Sequence, residues 1–170
     1  MLCNPEKTKV DHVPFGVVLG PDGKKFKTRS GKTERLIDLL NEAVVRAKKI
    51  LFERNPDILE SDLDKMAHTL GIDAIKYADL SGHRVKDYVF SYDKMLNFEG
   101  NTAAYLLYCY VRIRGIERKI AAKGDKKKKK VDIQLVHPSE RSLALLLLQF
   151  SECLAAMERD LLPNRLSDYL

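Results

Sequence analysis

Four cations stand close together near the start of the chain, where residues 24–31 read Lys-Lys-Phe-Lys-Thr-Arg-Ser-Gly. Lysine ammonium and arginine guanidinium groups bind phosphate oxygens through short, charge-assisted hydrogen bonds. The closing Ser-Gly pair is typical of a loop that moves. The stretch therefore predicts a phosphate-binding loop, and the alternative interpretation is a solvated basic hairpin tip.

The neighbouring segments predict how such a loop is positioned. Residues 12–20 read as a short buried strand, and residues 21–23 (Pro-Asp-Gly) have the composition of a turn. A helix is expected to open at residues 33–34 (Thr-Glu), just after the cations. Strand, basic loop and helix N-terminus together form a site for a polyphosphate, because the first backbone N–H groups of a helix lack partners within the helix.

The composition is that of a soluble globular protein. The chain has 170 residues, of which 45% are hydrophobic and 32% are charged. It has no apolar run long enough for a membrane helix, and its first residues lack the apolar run of a signal peptide, which predicts a cytoplasmic protein. The three cysteines and four histidines are spread too far apart along the sequence to predict a metal site.

The net charge of +6 is concentrated in one segment, because Lys126 to Lys130 supply five of the positive charges. The run follows a Gly-Asp pair, which predicts a flexible connector. One interpretation of the run is a solvated loop. The other is a nonspecific attraction for an RNA backbone, which weakens steeply as salt is added.

Apolar periodicity predicts a mixed α and β first part. Residues 34–54 carry apolar side chains at helical spacing and predict an amphipathic helix. Ser61, followed three residues later by Asp64, predicts the N-cap of a second helix that ends near residues 70–71. The other elements predicted in this part are a short helix over residues 73–80, a strand over residues 88–90 and a helical turn over residues 92–96.

From residue 100 onward the pattern is helical. Asn101 is expected to cap a helix that runs to about residue 122, and Ser139 to cap a second, strongly apolar helix. The apolar stripe of that second helix consists of Leu143, Leu146, Leu147, Phe150, Leu154, Met157 and Leu161. A break is expected at residues 163–164. The predicted fold is mainly α with a small α/β portion, in two domains over residues 1–99 and 100–170.

One face of the helix predicted after Asn101 combines aromatic and cationic groups. Tyr105, Tyr108 and Arg112 follow one another at i, i+3 and i+7, which places them on one side of a helix. Aromatic rings and guanidinium planes stack on unpaired bases, so this face predicts RNA binding. The alternative is that both tyrosines are core residues whose hydroxyl groups find a partner.

Two other groups of residues have side chains that could take part in chemistry. Tyr88, Phe90 and Tyr92 alternate along the predicted strand, where packing is their expected role. Asp79 and His83 are close enough in sequence to form a pair, but no nucleophile or second carboxylate accompanies them. No hydrolytic site is therefore predicted.

Several blocks of the sequence are specific in composition and order. They are Phe-Lys-Thr-Arg-Ser-Gly at 26–31 before Leu-Ile-Asp-Leu-Leu at 36–40, Lys-Tyr-Ala-Asp-Leu-Ser at 76–81, and Asn-Phe-Glu-Gly-Asn-Thr-Ala-Ala-Tyr at 97–105. In this order and spacing they resemble arginyl-tRNA synthetase, and the similarity covers residues 11–170. The resemblance implies the end of a class I nucleotide-binding α/β catalytic domain, followed by the start of an all-helical anticodon-binding domain.

The resemblance also implies roles for individual residues. The basic loop is the counterpart of the class I KMSKS loop, which closes over ATP and stabilises charge on the leaving pyrophosphate. The residues implied in catalysis are Lys25, Lys27 and Arg29. The residues implied in ATP binding are Phe15, Gly16, Val17, Val18, Lys27, Thr28, Arg29 and Ser30. Tyr105, Tyr108 and Arg112 are implied to face the anticodon arm of the tRNA.

The implied reaction converts ATP, L-arginine and tRNA into arginyl-tRNA, AMP and pyrophosphate, with Mg²⁺ accompanying ATP and no protein-bound metal. Such an enzyme also needs a HIGH-type motif, and no His-x-Gly-His sequence occurs in the chain. We therefore expect a C-terminal-region fragment that is inactive alone and meets L-arginine through a missing N-terminal part. The alternatives are a noncatalytic helical RNA-binding module and a protein-interaction fragment whose helical faces dock on missing parts.

Overall fold

A computed structural model describes residues 8–25, 35–122 and 133–170 of the chain. The elements in these residues are β1 (Val18–Leu19), α1 (Leu36–Arg54), α2 (Glu60–Ser81), β2 (Tyr88–Val89), α3 (Tyr92–Met95), α4 (Ala103–Ala122), α5 (Pro138–Leu148), α6 (Phe150–Asp160) and α7 (Asn164–Tyr169). The fold is mainly α with a small α/β portion, as the sequence predicts. No helix in the described residues is long and apolar enough to cross a membrane.

Helices α1 and α2 pack against each other and form the centre of the core. Small side chains line their contact, because Ala43 and Ala47 of α1 and Ala67 of α2 are completely buried. Gly71 of α2 lies so close to α1 that a Cβ atom there would stand 2.7 Å from the Cα atom of Val44. Small residues at helical spacing thus let the two backbones approach closely.

The structure has one helix where the sequence predicts two. The predicted break near residues 70–72 is wrong, since α2 runs without interruption from Glu60 to Ser81. Glycine inside a helix costs about 1 kcal/mol relative to alanine, and it is therefore a common sign of a helix end. At Gly71 the packing against α1 outweighs that cost. Ser61 is not the N-cap, because Leu59 occupies that position without a side-chain hydrogen bond.

Strands β1 and β2 form a two-stranded parallel sheet in which Val18 lies opposite Tyr88. The prediction of a buried strand over residues 12–20 is therefore wrong in length and burial, since only Val18 and Leu19 are assigned to the strand and both are half-buried. A strand extends only as far as a neighbour accepts and donates its backbone hydrogen bonds. The partner strand β2 is itself two residues long.

The aromatic residues around β2 belong to the core, as predicted. Phe90 follows β2 and is buried, and its ring meets the ring of Tyr92 edge-on with 4.8 Å between their centroids. The predicted helical turn is α3, whose N-cap Ser91 accepts a hydrogen bond from the backbone N–H of Lys94 at 3.4 Å. The rings thereby attach the short sheet to the pair α1 and α2.

Helix α4 begins at Ala103, which is one residue later than a cap at Asn101 predicts. The sequence predicts Asn101 at the N-cap, but the Oγ1 atom of Thr102 accepts the hydrogen bond from the backbone N–H of Tyr105, at 3.2 Å. The Asn101 side chain is engaged elsewhere, because its Oδ1 atom accepts from the hydroxyl group of Tyr77 in α2. A tertiary contact thus moves the cap to the next suitable residue.

Helix α5 is capped by His137 and not by the predicted Ser139. The backbone N–H of Ser139 donates to the Nδ1 atom of His137 at 3.2 Å, and the Glu140 carboxylate accepts from the backbone N–H of His137 at 2.8 Å. Pro138 therefore occupies the first helical position, where its missing N–H costs nothing. The N-cap His137 therefore precedes Pro138, whereas the predicted cap, Ser139, follows it.

The apolar stripe predicted for one helix is divided between α5 and α6 at Gln149. Five of its members, Leu143, Leu146, Leu147, Phe150 and Leu161, are exposed within the described chain. The break predicted at residues 163–164 is present, because Pro163 is the N-cap of α7. Helix α7 then packs against α2 and α6, which brings the end of the chain back to the core.

Substitution of Gly71 by alanine tests the close contact between α1 and α2. The added Cβ atom would stand 2.7 Å from the backbone N and Cα atoms of Val44, so the helices must separate. We expect Gly71→Ala to lower the free energy of unfolding by about 1–3 kcal/mol. The matched control is Gly115→Ala in α4, where no atom beyond the adjacent backbone of the helix itself lies within 4 Å of the new Cβ and a gain of about 0.5–1 kcal/mol is expected. Urea unfolding measures both, and equal effects of the two substitutions would contradict this packing.

Candidate nucleotide and nucleic-acid site

Lys25 is held next to the end of β1 by a tight turn. The backbone N–H of Gly20 donates to the Lys24 carbonyl at 2.8 Å, and the N–H of Gly23 donates to the Gly20 carbonyl at 2.9 Å. An isolated antiparallel bridge then joins Lys25 to Leu19. The turn predicted at residues 21–23 is therefore present, and it presents Lys25 as an exposed cation. The other predicted loop residues, Lys27, Thr28, Arg29 and Ser30, lie outside the described residues.

The predicted nucleotide-binding residues Phe15, Gly16, Val17 and Val18 follow one another along the approach to β1 and into it. The N–H of Gly16 donates to the Arg84 carbonyl, and the N–H of Val17 donates to the Asp87 carboxylate, each at 2.7 Å. These two backbone donors are therefore already engaged within the protein. Phe15 is 82% exposed, so its ring is open to a ligand.

A cleft of about 660 Å³ lies beside this segment. Phe15 and the three residues after it form one side, and the other side comes from the end of α2, the loop that follows it, and Pro163. The cleft is thus lined by the four described residues among the eight that the resemblance implies in ATP binding. The lining also includes Pro163 from the far end of the chain, which no local pattern indicated.

Asp79 is paired with Tyr88 and not with His83. The Tyr88 hydroxyl group donates to the Oδ1 atom of Asp79 at 3.1 Å, which joins α2 to β2. Burial raises the pKa of Tyr88 to about 12, and the charge of Asp79 and the hydrogen bond to it act in the same direction. The phenol therefore stays neutral in the folded protein, and the pair is a structural contact.

The predicted RNA-binding face of α4 is exposed in the described part of the chain. Tyr105 and Tyr108 keep 43% and 47% of their surface, so neither is a core residue there. The guanidinium group of Arg112 lies 5.7 Å from the centre of the Tyr108 ring and donates to its hydroxyl group at 3.3 Å. One aromatic plane and one guanidinium plane are therefore held side by side on the surface.

Tyr108 also stands at the rim of an apolar cavity of about 380 Å³ between α4 and the pair α1 and α2. The apolar side chains that line it include Leu51, Met66, Leu70, Phe98, Leu107 and Val111. A second arginine is placed nearby, because the guanidinium group of Arg54 lies 4.1 Å from the centre of the Phe98 ring. Tyr108 and Phe98 thus line the same cavity, and each ring is contacted by an arginine.

Two arginine–aromatic pairs on α1 were missed by sequence reasoning. Arg54 covers Phe98, and Arg46 lies 4.6 Å from the centre of the Tyr92 ring, at the edge of a groove of about 740 Å³. In sequence, both arginines belong to the charged face of α1 and look like solvated residues. Their partners are more than 40 residues away, so only the packing of α3 and the loop after it against α1 could have indicated them.

Two family models match the chain. One is described as tRNA synthetases class I (R), catalytic domain, and matches residues 1–92, and the other is the DALR anticodon binding domain and matches residues 106–170. The chain belongs to the class I arginyl-tRNA synthetase family. This confirms the resemblance seen in the sequence blocks, and it assigns the β1 segment and α1 to α2 to the catalytic-domain match of this family.

Curated members of the arginyl-tRNA synthetase family are similar to nearly the whole chain. The arginine–tRNA ligase of Protochlamydia amoebophila is 59% identical over 162 residues, which are 95% of this chain and 28% of the relative. That of Chlamydia caviae is 51% identical over 166 residues, which are 98% of this chain and 29% of the relative. The chain therefore spans less than a third of the length of these relatives.

Solved structures of arginyl-tRNA synthetases share the fold of the chain. The enzyme of Thermus thermophilus matches with a TM-score of 0.76 and 30% identity, over 91% of this chain and 24% of that one. The enzyme of Plasmodium falciparum matches with a TM-score of 0.72 and 34% identity, over 93% of this chain and 26% of that one. The arrangement of helices and short sheet is thus the one found in this family.

The raised pKa of Tyr88 predicts a dependence of stability on pH. An unfolded tyrosine ionises near pH 10.0 and the folded one near 12, so the contribution of Tyr88 is complete below pH 10 and is lost as the pH rises to 12. Between pH 10 and pH 12 we expect the unsubstituted chain to lose unfolding free energy relative to Tyr88→Phe. Urea unfolding at a series of alkaline pH values measures it. Tyr110→Phe, at an exposed position on α4, is the control, and identical profiles for both variants would refute the assignment.

Proposed function

We propose that the whole protein of which this chain forms part is an arginine–tRNA ligase. It converts ATP, L-arginine and tRNA into arginyl-tRNA, AMP and pyrophosphate. The observation that carries the proposal is the presence, on one chain, of matches to the class I (R) catalytic domain and to the DALR anticodon binding domain. The relatives at 59% and 51% identity are both named arginine–tRNA ligases.

The basic stretch acts on the phosphates of ATP in this proposal. Lys25, Lys27 and Arg29 share the neutralisation of the negative charge that develops on the leaving pyrophosphate. The proposal is supported by the position of Lys25, which is exposed and fixed beside β1 by its bridge to Leu19. The bridge fixes the backbone of Lys25, which limits the reorganisation that its ammonium group needs to reach the developing charge.

ATP is the nucleotide substrate in this proposal, and Mg²⁺ enters with it. Residues 15–18 support the adenosine part, and Thr28 and Ser30 join the cations at the phosphates. Support comes from the cleft of about 660 Å³ beside residues 15–18 and from the exposed ring of Phe15, which offers a face for stacking. L-Arginine binds through regions outside this chain. The sequence has no His-x-Gly-His motif, so we propose that the chain is inactive by itself.

The helical part binds the anticodon arm of the tRNA in this proposal. Tyr105, Tyr108 and Arg112 provide planes for unpaired bases, with the boundary between the two domains near residues 98–101. Support comes from the exposure of both tyrosines and from the contact of Arg112 with the Tyr108 ring. Because tRNA is charged where translation occurs, we place the protein in the cytoplasm.

The catalytic part of the proposal is tested by joining this chain to the N-terminal region of the Protochlamydia amoebophila ligase. The joined protein is expected to charge an arginine tRNA, and the chain alone is not. Replacing Lys25, Lys27 and Arg29 together by alanine is expected to slow adenylate formation at least about 100-fold, since single charge-stabilising donors are worth about that much. Single-turnover adenylate formation at saturating tRNA measures the effect.

The control for that experiment removes the same number of charges elsewhere. Replacing Lys126, Lys127 and Lys128 by alanine should leave the rate of adenylate formation at saturating tRNA within about twofold. If both triple variants slow the step equally, the basic stretch acts only through net charge. A joined protein that binds tRNA but never forms adenylate would favour the noncatalytic RNA-binding module.

The RNA-binding part of the proposal is tested on α4. Tyr108→Ala removes a ring that stacks on an unpaired base, which is worth about 1–3 kcal/mol, so affinity for an arginine tRNA should fall roughly 5- to 150-fold. The control is Tyr110→Ala, because Tyr110 is 60% exposed on the same helix but two positions away and on another face. Filter binding at several salt concentrations measures both, and equal losses for the two variants would overturn this assignment.

A further inference from the structure

Arg84 joins two distant parts of the chain through one side chain. It lies, half-buried, in the loop between α2 and β2. Its NH1 group donates to the Pro14 carbonyl at 2.5 Å, and its Nε group donates to the Leu161 carbonyl at 3.1 Å. Pro14 lies within the catalytic-domain match and Leu161 within the DALR match. The guanidinium fork therefore bridges the two family regions directly.

On the Pro14 side, the loop of Arg84 is docked along the segment that leads into β1. The Arg84 carbonyl accepts from the N–H of Gly16, and the Asp87 carboxylate accepts from the N–H of Val17. Gly16 is so close to this loop that a Cβ atom there would stand 2.2 Å from the Lys86 carbonyl oxygen. The segment that carries the chain to Lys25 is thus held against the loop by several short contacts.

On the Leu161 side, the guanidinium meets the end of α6. Leu161 is the C-cap of that helix and has the left-handed conformation, with φ 52°. The last carbonyl groups of a helix lack partners within the helix and carry partial negative charge, so a cation there is favourable. Helix α7 then packs on α2, so the end of α6 stays beside the loop that carries Arg84.

We propose that Arg84 is a positioning residue that fixes the anticodon-binding region against the segment leading into the basic loop. The proposal rests on the proposed function. A guanidinium group has donors in a rigid planar fork and serves two carbonyls at once, whereas a lysine ammonium is a single point on a flexible stem. By holding Pro14 and Leu161 together, Arg84 sets where Lys25 stands relative to the helices that bind tRNA.

Hydrogen exchange of the chain itself tests the bridge without any activity. In Arg84→Ala and Arg84→Lys, the amides of Gly16 and Val17 and those just after Leu161 should exchange about tenfold faster or more. The amides of the α1–α2 core should stay unchanged, which separates a lost bridge from global destabilisation. The control is Arg141→Ala, because Arg141 donates to a carbonyl only six residues away. Unchanged exchange at Gly16 and Val17 in both Arg84 variants would overturn the proposal.

Arginylation by the joined protein provides a second readout. We expect Arg84→Ala and Arg84→Lys to lower kcat about tenfold while the KM for tRNA stays within about twofold, because the tRNA-binding face is intact and only its relation to Lys25 changes. Arg141→Ala should match the unsubstituted protein. Full kcat in both Arg84 variants overturns the positioning role. If the unsubstituted joined protein fails to charge tRNA, the proposed function fails, and hydrogen exchange alone then decides on Arg84.

Discussion

The close contact between α1 and α2 is the constraint on which the rest of the described structure depends. Alanines at helical spacing and Gly71 bring the two backbones within van der Waals distance, where larger side chains would hold them apart. Helices α3, α4 and α7 then pack against this pair. Because small residues line the contact between α1 and α2, its stability depends on how precisely the two helices fit and less on the volume of any one side chain.

Very little regular structure fixes the segment that leads to Lys25. Two residues of β1 pair with two of β2, and the remaining restraint on the approach to Lys25 comes from the loop that carries Arg84 and Asp87. That loop contacts residues of both family regions. The guanidinium group of Arg84 therefore connects the end of α6 directly to the backbone that leads to Lys25.

The α4 surface combines apolar and stacking groups in one place. Tyr108 with Arg112 and Phe98 with Arg54 each set a guanidinium group over a ring, on either side of a cavity lined by apolar side chains. Rings held in this way bind a flat ligand with little loss of side-chain entropy. The exposed leucines of α5 form a separate apolar face within the described chain.

The sequence by itself determined the family, the helical character and the grouping of Tyr105, Tyr108 and Arg112, because these follow from local periodicity and from residue blocks in a fixed order. Only the tertiary structure decided that α2 is continuous through Gly71, that Thr102 and His137 are the caps, and that β1 is two residues long. It also decided the partners of Asp79, Arg54 and Arg84. The physical reason is that each of these outcomes depends on what a distant segment offers: a backbone to approach, a carbonyl to accept or a ring to cover. The local propensities of residues carry no information about these distant segments.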